Sequence, residues 1–557
     1  MKDSMTLQSH VERAGAGLAL LLGLSGCGGG GGPTPPPVAP VAKQAYQLSQ
    51  TTLHCEIELG QTCDDIVVTA QALPGVPDVE PSWFEHVNGL SVGVVKTMAR
   101  IKQSDGSWRL TLAMTPGLPA GVYTGWVQLT VEGTYTLVSE YASIHMNYTV
   151  TVADKAGKPA PLARLAGAAD WEGYGGNAGH TGLVPVTLDS GKFKRRWTWT
   201  GLPTDALSND IASPVVSANG LAYFSQIGAV NLGGVPSNVT ASAVMALNES
   251  DGTPHWRYQV ADVNLGPATV SGPRLVVGGN KTLFSFDALH GNKLASAMQP
   301  DAAGALTTYA PVLLAGSVYF GGRDGIGSAD EFSAASRWST SFGLPLRSPA
   351  MTNWTPAVNG AVALSNNNGK LGAYDVANGR QLFSVDVPGG APGAVSKGSL
   401  NQAPVLVDAG TVLLLNQRQA SNQALDNHLS LVDLNRRQLR WSVNGQFTTQ
   451  PVVGGGVLYV GNGGTGQIEA RKVGDASLLW SWAPAQQDSF RGDMILTNNL
   501  LFVATGRKTY AIDLNTHQTV WSYRASGTLS LSANGLLYIM DPTVSNGRRY
   551  LSAIDLH

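Results

Sequence analysis

Two stretches in the C-terminal half of the chain, AYDVANGRQLF (residues 373–383) and AIDLNTHQTVW (residues 511–521), decide the fold. In each stretch an aspartate precedes an aromatic residue by eight positions: Asp375 precedes Phe383, and Asp513 precedes Trp521. The same spacing recurs roughly every 45 residues, a period typical of repeats built from small sheets. The further copies are Asp189 with Trp197, Asn248 with Trp256, Asp330 with Trp338, Asp433 with Trp441, Lys472 with Trp480, and a degenerate copy with Asp287 and Ala295.

The later copies lie in a constant frame of four short strands. A Pro-Val opening such as Pro404-Val405 comes first, a buried apolar strand follows, and the Ala-x-Asp strand and the aromatic strand complete the unit. Four antiparallel strands per repeat are typical of a propeller blade. The pattern therefore predicts an all-β chain with an eight-bladed propeller over residues 171–557, or a seven-bladed one if the copy at Asp287 is not a blade.

The motif residues have structural roles in this prediction. The Asp side chain caps backbone N–H groups in a tight turn, and the aromatic residue wedges against the neighbouring blade rather than stacking on a carbohydrate. The last copy stops at Asp555 without an outer aromatic strand, whereas the first copy has Trp197 with little before it. We therefore expect the strand around Trp197 to complete the last blade and close the ring.

The N-terminus has the features of an exported, lipidated protein. Residues 1–26 combine two basic residues with a short apolar run that ends in Leu24-Ser25-Gly26-Cys27, which resembles a bacterial lipobox. The alternative is an ordinary signal peptide with an accidental cysteine. Residues 27–42 are rich in Gly and then Pro and would form a tether. Since Gly28 is not the Asp that often marks inner-membrane retention, we expect Cys27 to anchor the chain to the outer membrane, facing the periplasm or the cell surface.

Residues 43–153 have the composition of a β-sandwich. Segments 66–70, 108–112 and 127–131 alternate partly between apolar and polar residues, and residues 118–125 resemble a turn of bacterial immunoglobulin-like modules. Cys55 and Cys63 lie in this region, and in an exported protein they would form either a disulfide or two free buried thiols. Residues 154–170 would be a linker.

The repeat Ala-x-Asp-x-x-x-Gly-x-x-x-Trp resembles the pyrroloquinoline-quinone-like propeller repeats. The segment WEGYGGNAGHTG (residues 171–182) is similar to the opening of many lipoproteins of this family. The resemblance implies a propeller fold. It does not imply one function, because the family includes quinone-dependent dehydrogenases as well as cofactor-free scaffolds such as the propeller lipoprotein of the outer-membrane barrel-assembly machinery.

The sequence favours a binding or scaffold protein over an enzyme. A net charge of −2 over 557 residues gives no basic excess for nucleic acid. Adjacent cysteines, a haem motif, a zinc-protease motif, a Ser-nucleophile elbow and a calcium loop are all absent from the sequence. We expect no catalytic, cofactor or metal site, a hydrogen-bonding role for His180, and a protein or glycan partner. The alternative is an oxidoreductase of alcohols or sugars that uses pyrroloquinoline quinone and calcium.

Two long insertions suggest a binding face. They cover residues 226–242 and 417–428, between the second and third strands of the first and fifth repeats, which lie opposite each other in an eight-bladed ring. Their alternative explanation is tolerated surface insertion. The connection from Asp488 to Asp493 should open on the same face. The side chains proposed for this face are Gln226, Asn231, Gln417, Asn422, Asp488, Arg491 and Asp493.

Overall fold

The computed structural model is all-β, which confirms the predicted fold class. It describes residues 43–88, 93–131, 141–154, 160–201, 211–227, 242–260, 265–279, 281–300, 310–321, 325–342, 355–367, 369–388, 403–418, 426–492, 494–541 and 550–557. Within these residues the helical elements are two short 3-10 turns, Tyr174–Gly176 and Ser190–Lys192. The proposed signal peptide, Cys27 and the tether lie outside the described residues.

The first ten strands form a β-sandwich. They are β1 (Lys43–Gln44), β2 (Tyr46–Leu48), β3 (Thr52–Glu58), β4 (Ile66–Ala72), β5 (Pro81–Val87), β6 (Val95–Lys102), β7 (Trp108–Met114), β8 (Gly121–Val131), β9 (Tyr141–Ala142) and β10 (Ile144–Ala153). One sheet has the order β3-β10-β8-β5 and the other β2-β4-β7-β6, while β1 pairs with β9. Strand residues alternate between core and solvent, and Leu110 and Leu112 of β7 are fully buried. The predicted strands at 66–70, 108–112 and 127–131 belong to β4, β7 and β8. The immunoglobulin-like character stays a prediction.

The following strands form the first four blades of a propeller. After β11 (Lys194–Trp199), blade 1 contains β12 (Ile211–Ala212), β13 (Val216–Ala218), β14 (Leu221–Ile227), β15 (Ser242–Asn248) and β16 (Pro254–Val260). Blade 2 contains β17 (Ala268–Ser271), β18 (Arg274–Gly278), β19 (Thr282–Asp287) and β20 (Lys293–Met298). Blade 3 contains β21 (Val312–Leu314), β22 (Ser317–Gly321), β23 (Gly325–Asp330) and β24 (Ser336–Ser341), and blade 4 contains β25 (Ala357–Val358), β26 (Val362–Asn367), β27 (Lys370–Asp375) and β28 (Gln381–Asp386).

The remaining strands form the other four blades. Blade 5 contains β29 (Val405–Asp408), β30 (Thr411–Arg418), β31 (Asp426–Asp433) and β32 (Gln438–Gly445), and blade 6 contains β33 (Val452–Gly454), β34 (Val457–Asn462), β35 (Gln467–Lys472) and β36 (Leu478–Trp482). Blade 7 contains β37 (Ile495–Leu496), β38 (Leu500–Ala504), β39 (Thr509–Asp513) and β40 (Thr519–Tyr523), and blade 8 contains β41 (Thr528–Leu531), β42 (Leu536–Met540) and β43 (Leu551–Asp555). The described residues therefore contain eight blades, and the copy at Asp287 is one of them.

The ring closes at blade 8, as predicted. Strand β11 pairs antiparallel with β43, so the N-terminal strand is the outer strand of the last blade. Arg196 of β11 forms a buried ion pair of 2.9 Å with Asp555 of β43. Across the junction to blade 1, the buried Glu249 accepts hydrogen bonds from Asn534 and Tyr538 of blade 8. Burial raises the pKa of Glu249, and these two donors partly offset the shift.

The two motif residues act as the sequence analysis predicts. The Asp513 carboxylate accepts hydrogen bonds from the backbone N–H groups of Asn515 and Thr516, at 2.9 Å and 2.7 Å. The Trp338 indole Nε1 donates to the carbonyl oxygen of Val376 in blade 4, at 3.0 Å, and its ring covers Gly379. The ring of Trp197 covers Gly252 in the same way, and Trp256 covers Gly291. At these three junctions, adjacent blades are therefore joined by an aromatic ring on a glycine.

Candidate functional site: the channel and the loop face

The two faces of the ring carry different connections. One face, which we call the turn face, carries the turns between the first and second strands and between the third and fourth strands of each blade. The opposite face, the loop face, carries the connections between second and third strands and those from one blade to the next. This division follows from the antiparallel order of the four strands in each sheet.

Residues 171–182, which we call the channel segment, line the channel of the ring. Carbonyl groups of this segment accept hydrogen bonds from N–H groups of the first strands of six blades. The pairs are Trp171 with Ser217 (2.9 Å), Glu172 with Val270 (2.7 Å), Ala178 with Val358 (2.8 Å), Gly179 with Leu406 (2.8 Å), Thr181 with Val453 (3.3 Å) and Gly182 with Leu496 (2.8 Å). Because the first strand of each blade borders the channel, a segment bound to six of them runs within it.

The ends of this stretch return to the turn face. The N–H group of Leu165 donates to the carbonyl oxygen of Ala533, in the first turn of blade 8, at 2.8 Å. Leu188 exchanges two hydrogen bonds with the Asn499 side chain, in the first turn of blade 7. The chain therefore enters and leaves the channel from the turn face.

The glycines of the channel segment permit this close approach. Gly182 has φ +63°, and an added Cβ would lie 2.4 Å from Cγ1 of Val452. Gly176 has φ +86°, and its Cβ would lie 2.9 Å from the ring of Trp171. Both positions need the left-handed conformation that glycine adopts without strain. The Gly-rich composition of residues 171–182 thus follows from packing inside a narrow ring.

His180 holds the channel segment through its side chain. Its imidazole is buried, with Nδ1 2.7 Å from the carbonyl oxygen of Tyr174 and Nε2 2.9 Å from that of Pro356, just before the first strand of blade 4. Burial lowers the pKa of His180, while both carbonyl contacts act in the opposite direction. Both ring nitrogens therefore contact backbone oxygens, which is the hydrogen-bonding role expected from the sequence.

The predicted binding-face residues occupy different environments. Gln226 is buried in β14, at 4% exposure, where Ala212 of β12 pairs with it. Its side chain is therefore not exposed to a partner, in contrast to the prediction. The physical reason is that β14 extends through Ile227, and only residues 228–241 connect it to β15. Gln417 belongs to β30, whose connection to β31 covers residues 419–425. Asn231, Asn422, Asp493 and the side chain of Gln417 lie outside the described parts of the chain, so their role stays a prediction.

The connection that carries Asp488 and Arg491 lies on the loop face. The N–H group of Arg491 donates to the carbonyl oxygen of Ala504 at 2.9 Å, and that of Gly506 donates to Ser489 at 2.8 Å. Ala504 ends β38, and Gly506 belongs to the connection between the second and third strands of blade 7. Arg491 is exposed and Asp488 is half-buried. Both residues are therefore placed beside a loop-face connection, as the strand order predicts.

The sandwich contacts this same connection. Asp65 forms an ion pair of 2.6 Å with Arg507, and Asp64 forms one of 2.8 Å with Lys508. Asp64 also lies 3.2 Å from Arg524, beyond the outer strand of blade 7. These pairs are partly exposed, so each one stabilises the contact modestly. Their common position shows that the sandwich borders the loop face at blade 7.

A second set of contacts joins the sandwich to blade 8. The buried Arg195 side chain lies 3.1 Å from Glu58 and 3.6 Å from Asp154 of the sandwich. The Tyr550 hydroxyl donates to the carbonyl oxygen of Gly117, and its ring belongs to the sandwich core. Removal of either carboxylate would leave the positive charge of the buried Arg195 side chain with fewer opposite charges nearby.

The contacting loop of the sandwich is closed by a disulfide. Cys55 and Cys63 are bonded, with a Cα–Cα distance of 6.2 Å. Between them, Gly60 has φ +86°, and an added Cβ would lie 2.7 Å from Oγ of Ser552 in blade 8. The N–H group of Thr62 donates to the carbonyl oxygen of Arg524 at 2.8 Å. The disulfide therefore constrains the loop that docks the sandwich.

Sequence reasoning missed two parts of this site. It identified residues 171–182 only as an opening segment, without a place in the ring, and it gave the sandwich no position relative to the ring. A run of five glycines in twelve residues that also contains His180 and Trp171 was the available signal for the channel segment. No local pattern marks Asp64 and Asp65 as partners of residues more than 400 positions away.

The channel was tested against the quinone cofactor that the repeat family implies. Pyrroloquinoline quinone is a tricarboxylate, which is normally held by cationic side chains and hydrogen-bond donors. In the described chain, the first strands of the eight blades carry one charged residue, Asp408, which is an anion. Within the same residues, no group of three His, Cys, Asp or Glu side chains could hold a metal ion. The described first strands therefore offer no cationic side chain to the cofactor, and the described residues offer no cluster of ligands for its calcium ion.

Three solved structures are similar to this chain. BamB from Moraxella catarrhalis matches at 14% identity, with 65% of this chain and 97% of that chain covered and a TM-score of 0.47. A europium-containing methanol dehydrogenase matches at 10% identity, with 70% and 98% covered and a TM-score of 0.51. A quinohemoprotein alcohol dehydrogenase from Pseudomonas putida matches at 14% identity, with 70% and 80% covered and a TM-score of 0.36. At such identities the methanol dehydrogenase supports the fold alone.

These features define a propeller protein of the pyrroloquinoline-quinone-like repeat class. The family model described as outer membrane protein assembly factor BamB matches residues 225–424 and 425–548, more than half of the chain. The chain belongs to this family. No curated protein matches the sequence. Among the described residues, no helix is long and apolar enough to cross a membrane.

Proposed function

We propose that this chain is a non-enzymatic outer-membrane lipoprotein, anchored through Cys27, whose propeller is a scaffold for a protein partner in the periplasm. The channel segment is the observation that carries the proposal. In this chain, carbonyl groups of residues 171–182 accept hydrogen bonds from N–H groups on the first strands of six blades. A channel lined by the chain itself favours contact with a partner on the outside of the ring, and the loop face presents the two long insertions and the connections between blades for that contact.

The docked sandwich supports the same proposal. Through Asp64 and Asp65 it borders the loop face at blade 7, so a partner on that face would contact both domains. Insertions of blades 1 and 5 would complete this surface from opposite sides of the ring. A rigid platform with loops around it suits capture of a folded protein better than turnover of a small molecule.

The anchor can be tested by fractionation of two single variants. Cys27→Ser should leave an unprocessed precursor or release the chain into the soluble periplasm, because the acylated sulfur is lost. Gly28→Asp is the matched variant, since it keeps the cysteine and should move the chain to the inner membrane. A Cys27→Ser protein that is still processed and still found in the outer membrane would contradict the anchor.

The scaffold function can be tested by capture from crosslinked membranes. Replacement of residues 228–241 and 419–425 by short Asn-Gly turns should reduce recovery of a defined partner at least about tenfold, since these loops would carry the contact surface. The thermal midpoint should stay unchanged, and His290→Ala on the turn face is the matched control. A glycan recovered in place of a protein would revise the partner class. Oxidation of alcohols or sugars by the purified chain with pyrroloquinoline quinone and calcium would overturn the non-enzymatic proposal.

A further inference from the structure

The junction between blades 2 and 3 differs from the other junctions. At the motif position on the outer strand, the other seven have an aromatic residue, whereas β20 has Ala295. Besides a buried apolar cluster that includes Leu283 and Phe320, two polar contacts join the blades here. The Gln299 side chain donates to the carbonyl oxygen of Ala334 at 2.9 Å, and Ser285 donates to that of Glu331 at 2.6 Å.

Four large apolar side chains are exposed around this junction. Leu294 and Met298, on the same side of β20, are 46% and 76% exposed, and Met298 is the most exposed large apolar side chain of the described residues. Leu289 and Phe332, in the third turns of blades 2 and 3, are 40% and 54% exposed. We call these four residues the rim patch. At the turn position of Leu289 and Phe332, the other complete copies have Ser250, Ala377, Asn435, Gly474 and Asn515.

Shared neighbours connect the members of the rim patch. The Arg274 guanidinium lies over the Phe332 ring, 4.2 Å from its centroid. Arg274 is also the strand partner of Asp287, whose carboxylate caps the N–H group of Leu289. Gln299 follows Met298 directly and is bonded to the turn that contains Phe332. The apolar side chains therefore surround one seam on the outer rim of the ring.

The backbone and charges around the rim patch indicate its occupant. Strand β20 pairs with β19 along one edge, and its other edge is unpaired within the described residues. An unpaired edge strand without charges from Leu294 to Met298 is open to strand addition. Lys293 and Arg274 border the patch, and in the described structure neither forms an ion pair. Among the carboxylates near the patch, Asp287 is bound by its own turn and by His290, and Asp330 by its own turn and by Arg337. Glu331 directly precedes Phe332.

We infer that the rim patch binds an extended segment of a protein partner, which adds as a strand to the free edge of β20. Main-chain hydrogen bonds would provide affinity, and apolar side chains of the segment would cover Leu294 and Met298. A carboxylate of the segment would face Lys293 or Arg274. The rim patch is on the outer wall and not on the loop face, so this inference goes beyond the proposed function and does not depend on it.

A peptide titration of the full chain tests the inference. The probe is a fluorescein-labelled peptide, Glu-Val-Thr-Val-Thr-Val-Glu, measured by fluorescence anisotropy. Met298→Lys places a charge at the centre of the patch, whereas Val520→Lys places one on the exposed outer strand of blade 7, where Val520 is 42% exposed. We expect saturable binding that Met298→Lys weakens at least about tenfold and Val520→Lys leaves within twofold. Hydrogen exchange should slow in residues 293–298 when the peptide is bound.

Two peptide controls separate the parts of the inference. A central Pro in the peptide removes a main-chain donor and should abolish binding, while Lys in place of Glu should weaken binding at low salt. Absence of saturable binding, or equal loss in both protein variants, would overturn the inference. Self-association of the chain that Met298→Lys abolishes would also overturn it, because a second copy would then be the occupant.

Discussion

Where an aromatic ring packs on a glycine of the next blade, a substitution at that glycine should destabilise the propeller by an amount that can be predicted. Gly379 of blade 4 has φ +72°, and an added Cβ would lie 2.3 Å from Cε3 and 2.6 Å from Cδ2 of Trp338 in blade 3. Gly379→Ala must therefore displace the indole or the turn. Gly220 of blade 1 has a similar φ of +76°, but an added Cβ there has no neighbour within 4 Å. Gly220→Ala is thus a matched control for backbone strain alone.

The two substitutions should differ by the cost of overpacking. In both, the left-handed conformation costs alanine about 1–2 kcal/mol, offset in part by about 0.4–1 kcal/mol from the stiffer unfolded chain. At Gly379 the clash adds about 1–3 kcal/mol. Since 1 kcal/mol corresponds to about 1–2 °C in a domain of this size, Gly379→Ala should unfold roughly 1–6 °C below Gly220→Ala.

Thermal unfolding of the two variants, with a double-mutant cycle, tests this account. In a Trp338→Ala background the ring is absent, so Gly379→Ala should cost no more than Gly220→Ala. The coupling energy between Trp338 and Gly379 should then equal the extra cost of about 1–3 kcal/mol. Equal midpoints for the two single variants, or no coupling in the cycle, would refute the role of the ring in joining the blades.

Three further predictions concern pH, docking and the channel. Hydrogen bonds hold the pKa of Asp330 and Asp513 below the ordinary 3.8. The stabilisation from these carboxylates is therefore present above pH 3.8 and is lost as the pH falls through the lowered pKa. The thermal midpoint should fall on acidification below about pH 4, and it should fall less steeply in a variant with both residues changed to Asn. Gly60→Ala should undock the sandwich and speed proteolysis between residues 154 and 170, whereas Gly106→Ala, at φ +82° with open space around it, should not. His180→Ala should cost about 1–3 kcal/mol for a buried carbonyl that loses its donor, since a neutral imidazole donates from one nitrogen, measured as a lower midpoint than that of His290→Ala; equal midpoints would contradict its role in the channel.

The repeat could be predicted from the sequence because its signals are local or act between neighbours. An Asp side chain caps a turn within three residues of itself, and the aromatic residue eight positions later packs on the next blade. Each copy therefore carries its own evidence, and eight copies reinforce one another. The closure could be predicted because the first copy has only the outer strand with Trp197 and the last copy lacks an outer strand after Asp555. These two incomplete copies together make one blade.

The tertiary structure alone decided how the channel is filled, where the sandwich docks and which insertion residues are buried. The hydrogen bonds that hold residues 165–188 in the channel join them to blades up to several hundred positions away in the sequence. Asp64 of the sandwich forms an ion pair with Lys508 of the propeller. Gln226 is buried because β12, a strand without a motif, pairs beside it. Such contacts depend on which backbone edges remain unpaired after the ring closes, and no periodic pattern in the sequence records them. The sequence by itself determined an all-β ring of repeats. Long-range hydrogen bonds and ion pairs determined the positions of the channel segment and the sandwich relative to that ring.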